Sequence, residues 1–113
     1  MDDRPVVCVD FDGVLNVFDG WRGPDYLHPP RPGAREFLER LNTLGYRVVV
    51  FTVRWAADVE GWLSQNGLSD LIAEVTDRKP PAHVYIDDRA ICFAGDFHAT
   101  LDQIRTFRAH WEP

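Results

Sequence analysis

The sequence predicts an α/β fold, a Rossmann-like three-layer α/β/α sandwich built on a small parallel sheet. Three observations point there. Four short apolar runs, at residues 6–9, 48–51, 72–75 and 84–86, alternate with longer segments of helical periodicity, as when crossover helices join parallel strands. The first two runs are β-branched and uninterrupted, the pattern of strands covered on both faces. Right-handed crossovers let strands two and three step outward on one side of strand one and strand four return to its other side, giving the order 3-2-1-4.

Each helix follows from its own pattern. The first carries Phe37, Leu38, Leu41 and Leu44 at helical spacing, with Pro32 placed to start it and Gly45 to stop it. The second covers about 56–66, with Val59, Trp62 and Leu63 on one face and a stop at Asn66-Gly67. Gly61 weakens it, and no cap precedes it. The last places Leu101, Ile104, Phe107 and Trp111 in register behind a Thr100/Gln103 capping-box pair. These apolar stripes are read as core. Residues 14–31 hold Gly20, Gly23, Pro24, Pro29 and Pro30 and fit neither period, so a long flap loop follows strand one. Its Phe18, Trp21 and Tyr26 are read as packing groups, with stacking on a base or sugar as the alternative use.

A length of 113 residues, 45% of them hydrophobic, fits one domain over 1–113 with no visible boundary. The net charge of −6 disfavours general binding to nucleic acid. No long apolar run and no signal-peptide pattern occurs, so a cytoplasmic protein is expected. Cys8 and Cys92 are far apart and read as reduced packing thiols. The four histidines show no ligand spacing and read as surface or packing residues.

The chemistry lies at the strand ends. The runs end at Asp10, Thr52 and the Asp87-Asp88 pair, and the 3-2-1-4 order leaves a crevice between strands one and four, where ligands bind. Asp10, Asp12, Asp87 and Asp88 fall at that crevice. Four carboxylates together repel one another, so either some stay protonated or a cation neutralises them; a hard divalent ion is the simpler answer, and oxygen donors with open positions describe Mg²⁺. With a cation present, Asp10, first off the rigid strand, suits attack on phosphorus, and Asp12 suits handling of the leaving-group proton. Gly13 lets the backbone turn sharply beside a bound anion. Thr52 and Lys79 supply a hydroxyl donor and a positive charge for a transferring phosphoryl group. Arg54 and Arg89 are candidates to clamp a second anionic group, or are surface ion-pair residues.

The ordered set Val9-Asp10-Phe11-Asp12-Gly13-Val14-Leu15, Val50-Phe51-Thr52, Lys79-Pro80 and Tyr85-Ile86-Asp87-Asp88 resembles the four motifs of the haloacid dehalogenase superfamily, over about residues 5–93. The resemblance implies that Asp10 forms an aspartyl-phosphate, that Asp12 is general acid and then base, and that Thr52 and Lys79 bind the phosphoryl group. It also implies that Asp87, with Asp88 through water, holds Mg²⁺ together with the Asp10 side chain and the Asp12 backbone carbonyl. A departing halide needs no proton, so an acid at Asp12 favours a phosphatase over a dehalogenase. Phe11 stands where the P-type ATPase branch has Lys. A receiver domain would carry its acceptor Asp at the end of strand three, which here reads Val75-Thr76.

The chain departs from many family members in having room for no substantial cap domain. An open crevice would admit a large metabolite, a nucleotide or a nucleic-acid end, or be covered by a second subunit of a homo-oligomer. The expected activity is Mg²⁺-dependent phosphomonoester hydrolysis on a phosphorylated substrate. A non-catalytic phosphate-binding or regulatory module and a phosphotransferase are the alternatives.

Overall fold

Strands β1 (Val6–Asp10), β2 (Arg47–Phe51), β3 (Glu74–Thr76) and β4 (Val84–Ile86) form one parallel sheet in the order β3-β2-β1-β4. They belong to a computed structural model that describes residues 2–113. Register places Asp10 opposite Phe51 and Val9 opposite Ile86. Asp10, Thr52 and Asp87 therefore leave neighbouring strands at nearly one level, which is how residues far apart in the chain meet.

Helices α1 (Ala34–Thr43) and α2 (Ala56–Gln65) link the strands and cover one face of the sheet. Val7, Val9, Val48 and Val50 pack there against Leu38, Val59, Trp62 and Leu63, with Phe11 fully enclosed. The Phe11 and Trp62 rings meet edge to face, centroids 4.9 Å apart. Truncating a buried core leucine such as Leu38 to alanine costs about 2–5 kcal/mol. Within α1 the core takes Ala34 and Leu38, with Leu41 packed against it, while Phe37 and Leu44 are exposed. No side chain caps α2, as its sequence suggests.

The return from β3 to β4 runs in the opposite direction, so a right-handed connection carries it over the other face. There Lys79 and Tyr85 line a pocket of about 150 Å³ with Cys8 and Asp10. That layer is thin. Helix α3 (Phe97–Arg105) contributes no buried residue. It starts earlier than the Thr100/Gln103 pair suggests, because the Asp96 carboxylate accepts from the Ala99 N–H and caps it. It ends before Phe107 and Trp111, and Leu101 and Ile104 are exposed. The expected four-residue core stripe is therefore not formed. Cys92 is likewise exposed, whereas Cys8 is buried.

The flap over 14–31 is pinned at its base: Asn16 bridges Pro30, Val17 N–H donates to the Pro29 carbonyl at 3.0 Å, and Arg31 N–H donates to the Leu15 carbonyl at 2.8 Å. His28 is buried inside it, hydrogen-bonded to Asp19 at 3.0 Å and met by the edges or faces of Phe18 and Tyr26. Trp62 Nε1–H donates to the His28 carbonyl at 2.9 Å, fastening the flap to α2. Phe18 and Tyr26 thus serve packing. Trp21 does not, and stays exposed.

Candidate active site

The polypeptide leaves β1 in a wide single turn, Phe11–Leu15, broken by Asp12 in an extended conformation and by Gly13 at φ +88°. That left-handed backbone, and the space beside it, require glycine: a Cβ at Gly13 would overlap the Asp88 carboxylate and lie 2.9 Å from Trp111 Nε1. Asn16 closes the turn. Its Oδ1 accepts from Gly13 N–H at 3.0 Å and Phe18 N–H at 3.2 Å, while its Nδ2 donates to Asp12 Oδ1 at 2.9 Å. Motif residues Asp10 and Asp12 consequently point to two different neighbourhoods.

Asp10 joins Asp87 and Asp88, with one carboxylate oxygen from each lying within 4.8 Å of the others. Burial, the hydrogen bond shared with Asp88 and the charges of Asp87 and Asp88 push the Asp10 carboxyl up to about 8. For Asp88 burial acts upward too, but hydrogen bonds from Asp10 and from the Trp111 indole outweigh it and leave the group below its ordinary value. The two carboxyls are hydrogen-bonded and titrate as a pair, with Asp10 shifted upward and Asp88 downward. Trp111 Nε1–H donates to Asp88 Oδ2, and His110 Nε2 pairs with the Gly13 carbonyl oxygen at 2.7 Å. Arg89 stacks on Trp111 and bonds Glu112 at 2.7 Å. The C-terminal segment therefore braces the acidic cluster, which the sequence reading of Trp111 as a core helix residue missed.

Asp12 faces a cation instead. Arg54 Nε–H donates to its Oδ2 at 2.7 Å and Nη2–H to its Oδ1 at 3.3 Å, with the side chains 3% and 18% exposed. Arg54 Nη1–H also donates to the Pro24 carbonyl at 3.4 Å. Arg54 is thus buried in contacts within the protein, while Arg89 is an exposed ion-pair residue, the alternative its sequence position also allows. Thr52 is buried. Its Oγ1 accepts from Arg54 N–H at 3.0 Å, which leaves its O–H available as a donor. Lys79 makes no ion pair among the described residues. Its ammonium lies 4.5 Å from the centre of the Tyr85 ring, and the Tyr85 hydroxyl donates to the Pro80 carbonyl at 2.6 Å, holding that loop against β4.

The donor set fits a hard divalent cation. Three convergent oxygens, from carboxylates that no protein cation pairs with among the described residues, are the hard anionic donors such a cation takes. The Asp12 side chain is not among the converging oxygens.

The sheet order β3-β2-β1-β4 with flanking helices is a Rossmann-like fold, consistent with that of haloacid dehalogenase domains, and no large cap accompanies it among the described residues. The chain is 28% identical over 110 residues, 97% of its length, to the D-glycero-beta-D-manno-heptose-1,7-bisphosphate 7-phosphatase of Rhodopseudomonas palustris, and spans 60% of the length of that relative. Its fold matches that of a conserved protein of Bacteroides thetaiotaomicron, with a TM-score of 0.62 at 23% identity over 91% of each chain. No family model matches the chain. Among the described residues no helix is long and apolar enough to cross a membrane.

Proposed function

We propose that the chain is a Mg²⁺-dependent phosphomonoester hydrolase in which Asp10 is the nucleophile and Asp12 the proton donor. The observation that carries this reading is the separation of two aspartates one residue apart: Asp10 in a cluster of carboxylates, Asp12 fixed by Arg54 and Asn16. These are the environments of the metal-free protein: with a cation bound in the cluster Asp10 would release its proton and be free for attack, and Asp12 must take up a proton before it can give one. The phosphatase activity of the Rhodopseudomonas relative supports the same class.

Asp10, Asp87 and Asp88 would hold the cation, which when bound offsets their charge and polarises phosphoryl oxygens. The Asp10 carboxylate attacks phosphorus, the ester P–O bond breaks, and the departing oxygen takes a proton from Asp12, which has first accepted that proton from the substrate phosphate monoanion or from solvent. Asp12 then removes a proton from water, whose oxygen attacks phosphorus, freeing phosphate and restoring Asp10. Of the two Arg54 contacts to Asp12, the 3.3 Å one is the one a leaving-group oxygen displaces. The Thr52 hydroxyl and the Lys79 ammonium hold and balance the phosphoryl oxygens. Reduced thiols and Mg²⁺ fit a cytoplasmic setting.

Phosphate release from an aryl phosphate tests the proposal. It requires Mg²⁺ and disappears in Asp10→Asn. Stabilisation by phosphorylated ligands with no hydrolysis would instead make the chain a phosphate-binding module, and a labelled acceptor product would make it a phosphotransferase.

A further inference from the structure

Asp12 fixes where the rest of a substrate lies, because the leaving-group oxygen must reach the carboxyl that protonates it. Next to Asp12 is Arg54, and over its guanidinium stands the Trp21 indole, with Cζ 4.7 Å from the ring centroid. Val53 and Trp55, the residues on either side of Arg54, turn outward. With Trp21 and Pro24 from the flap they line a pocket of about 290 Å³, edged by Asp58 and Asp77. Trp21 is 60% exposed and Trp55 77% exposed, and neither belongs to the core cluster. The exposed Trp55 indole and the part of Trp21 that its contact with Arg54 leaves uncovered form an apolar platform, the kind of surface that marks a binding site.

Charge narrows what can lie on it. The arginines on this side are taken, Arg54 by Asp12 and Arg22 by Asp19. The groups left at the edge, Asp58 and Asp77, are carboxylates that repel a second phosphate and accept from N–H or O–H donors. Resting on the phosphatase reading, we propose that this pocket is the leaving-group subsite and takes a monophosphate ester whose leaving group carries an uncharged, flat-faced ring with hydrogen-bond donors at its rim. A nucleobase and a pyranose share that chemistry.

The test compares kcat/KM on nucleoside 5′-monophosphates, hexose 6-phosphates, a hexose bisphosphate and ring-free glycerol 3-phosphate, for the wild type, Trp55→Ala and Trp21→Ala. At least one ring-bearing monophosphate is expected to exceed glycerol 3-phosphate about tenfold, through KM, and Trp55→Ala to lower that ratio about tenfold. The arm that carries the preference identifies the ring. Equal values for ring-bearing and ring-free substrates, a ratio that neither tryptophan variant changes, or a preference for the bisphosphate overturns the subsite. If nothing at all is turned over, the phosphatase reading fails, and calorimetric titration with the same monophosphates judges the pocket alone: saturable binding lost in Trp55→Ala supports it, and no binding overturns it.

Discussion

The crevice has two halves that treat the same functional group in opposite ways. In one, Asp10, Asp87 and Asp88 crowd together, eased by the Trp111 indole on Asp88 and the Arg89 backbone N–H on Asp87 but by no ion pair among the described residues. In the other, Asp12 is satisfied by Arg54 and Asn16 before any ligand arrives. The first half is incomplete without a cation, whereas the second is preorganised by the protein itself. Two carboxylates separated only by Phe11 can differ this much because Asp10 ends β1 while Asp12, extended within the turn that follows, is drawn aside by Asn16 and Arg54.

Removing the proposed nucleophile breaks the contrast most severely. Asp10→Asn is expected to lower phosphate release by at least about three orders of magnitude while stabilising the metal-free protein at pH 9, since one charge leaves a repulsive cluster. Loss of both properties at once would mean that Asp10 is structural. On the opposite half, Arg54→Ala leaves Asp12 without its charge partner in a mostly buried site, and chemical denaturation should show a loss of about 3–5 kcal/mol. Gly13→Ala forces a left-handed backbone on a residue with a Cβ and pushes on Asp88. A loss of roughly 1–3 kcal/mol, together with loss of Mg²⁺-induced stabilisation, is expected in thermal melts. The smallest effect is that of Trp111→Phe, which deletes one N–H to Asp88 and keeps a ring against Phe18. Mg²⁺ affinity measured by calorimetry should fall about tenfold with little change in melting temperature.

The two halves also differ in how far the sequence discloses them. Strand ends read directly, because unbroken β-branched runs stop at Asp10 and Thr52 and chain handedness fixes their order. Helices α1 and α2 read well for the same reason, since each buries one periodic face. The supports of the site do not read. Arg54 reaches Asp12 across 42 residues and Trp111 reaches Asp88 across 23, and a single side-chain contact between distant loops leaves no periodic trace. An arginine two residues past Thr52 does stand out, and its proximity to the site follows from the sequence, but its partner does not. Helix α3 misleads for a related reason: Leu101, Ile104, Phe107 and Trp111 have helical spacing, yet the helix stops at Arg105 and its apolar residues face outward. Spacing describes a face and does not say what covers it.

The acidic half is tested most directly by melting temperature as a function of pH, with and without Mg²⁺. In the unfolded chain Asp10 gives up its proton near 3.8, while in the folded, metal-free protein it holds the proton until about 8. Between these values the folded state binds more protons, so stability without metal should decline as pH rises from about 4 to about 8 and level off above. Mg²⁺ must displace that proton, so its stabilising effect should be small at pH 5, grow through pH 8, and be lost in Asp10→Asn and Asp87→Asn. A Mg²⁺ effect that does not change with pH, or one that survives intact in both variants, would contradict the account.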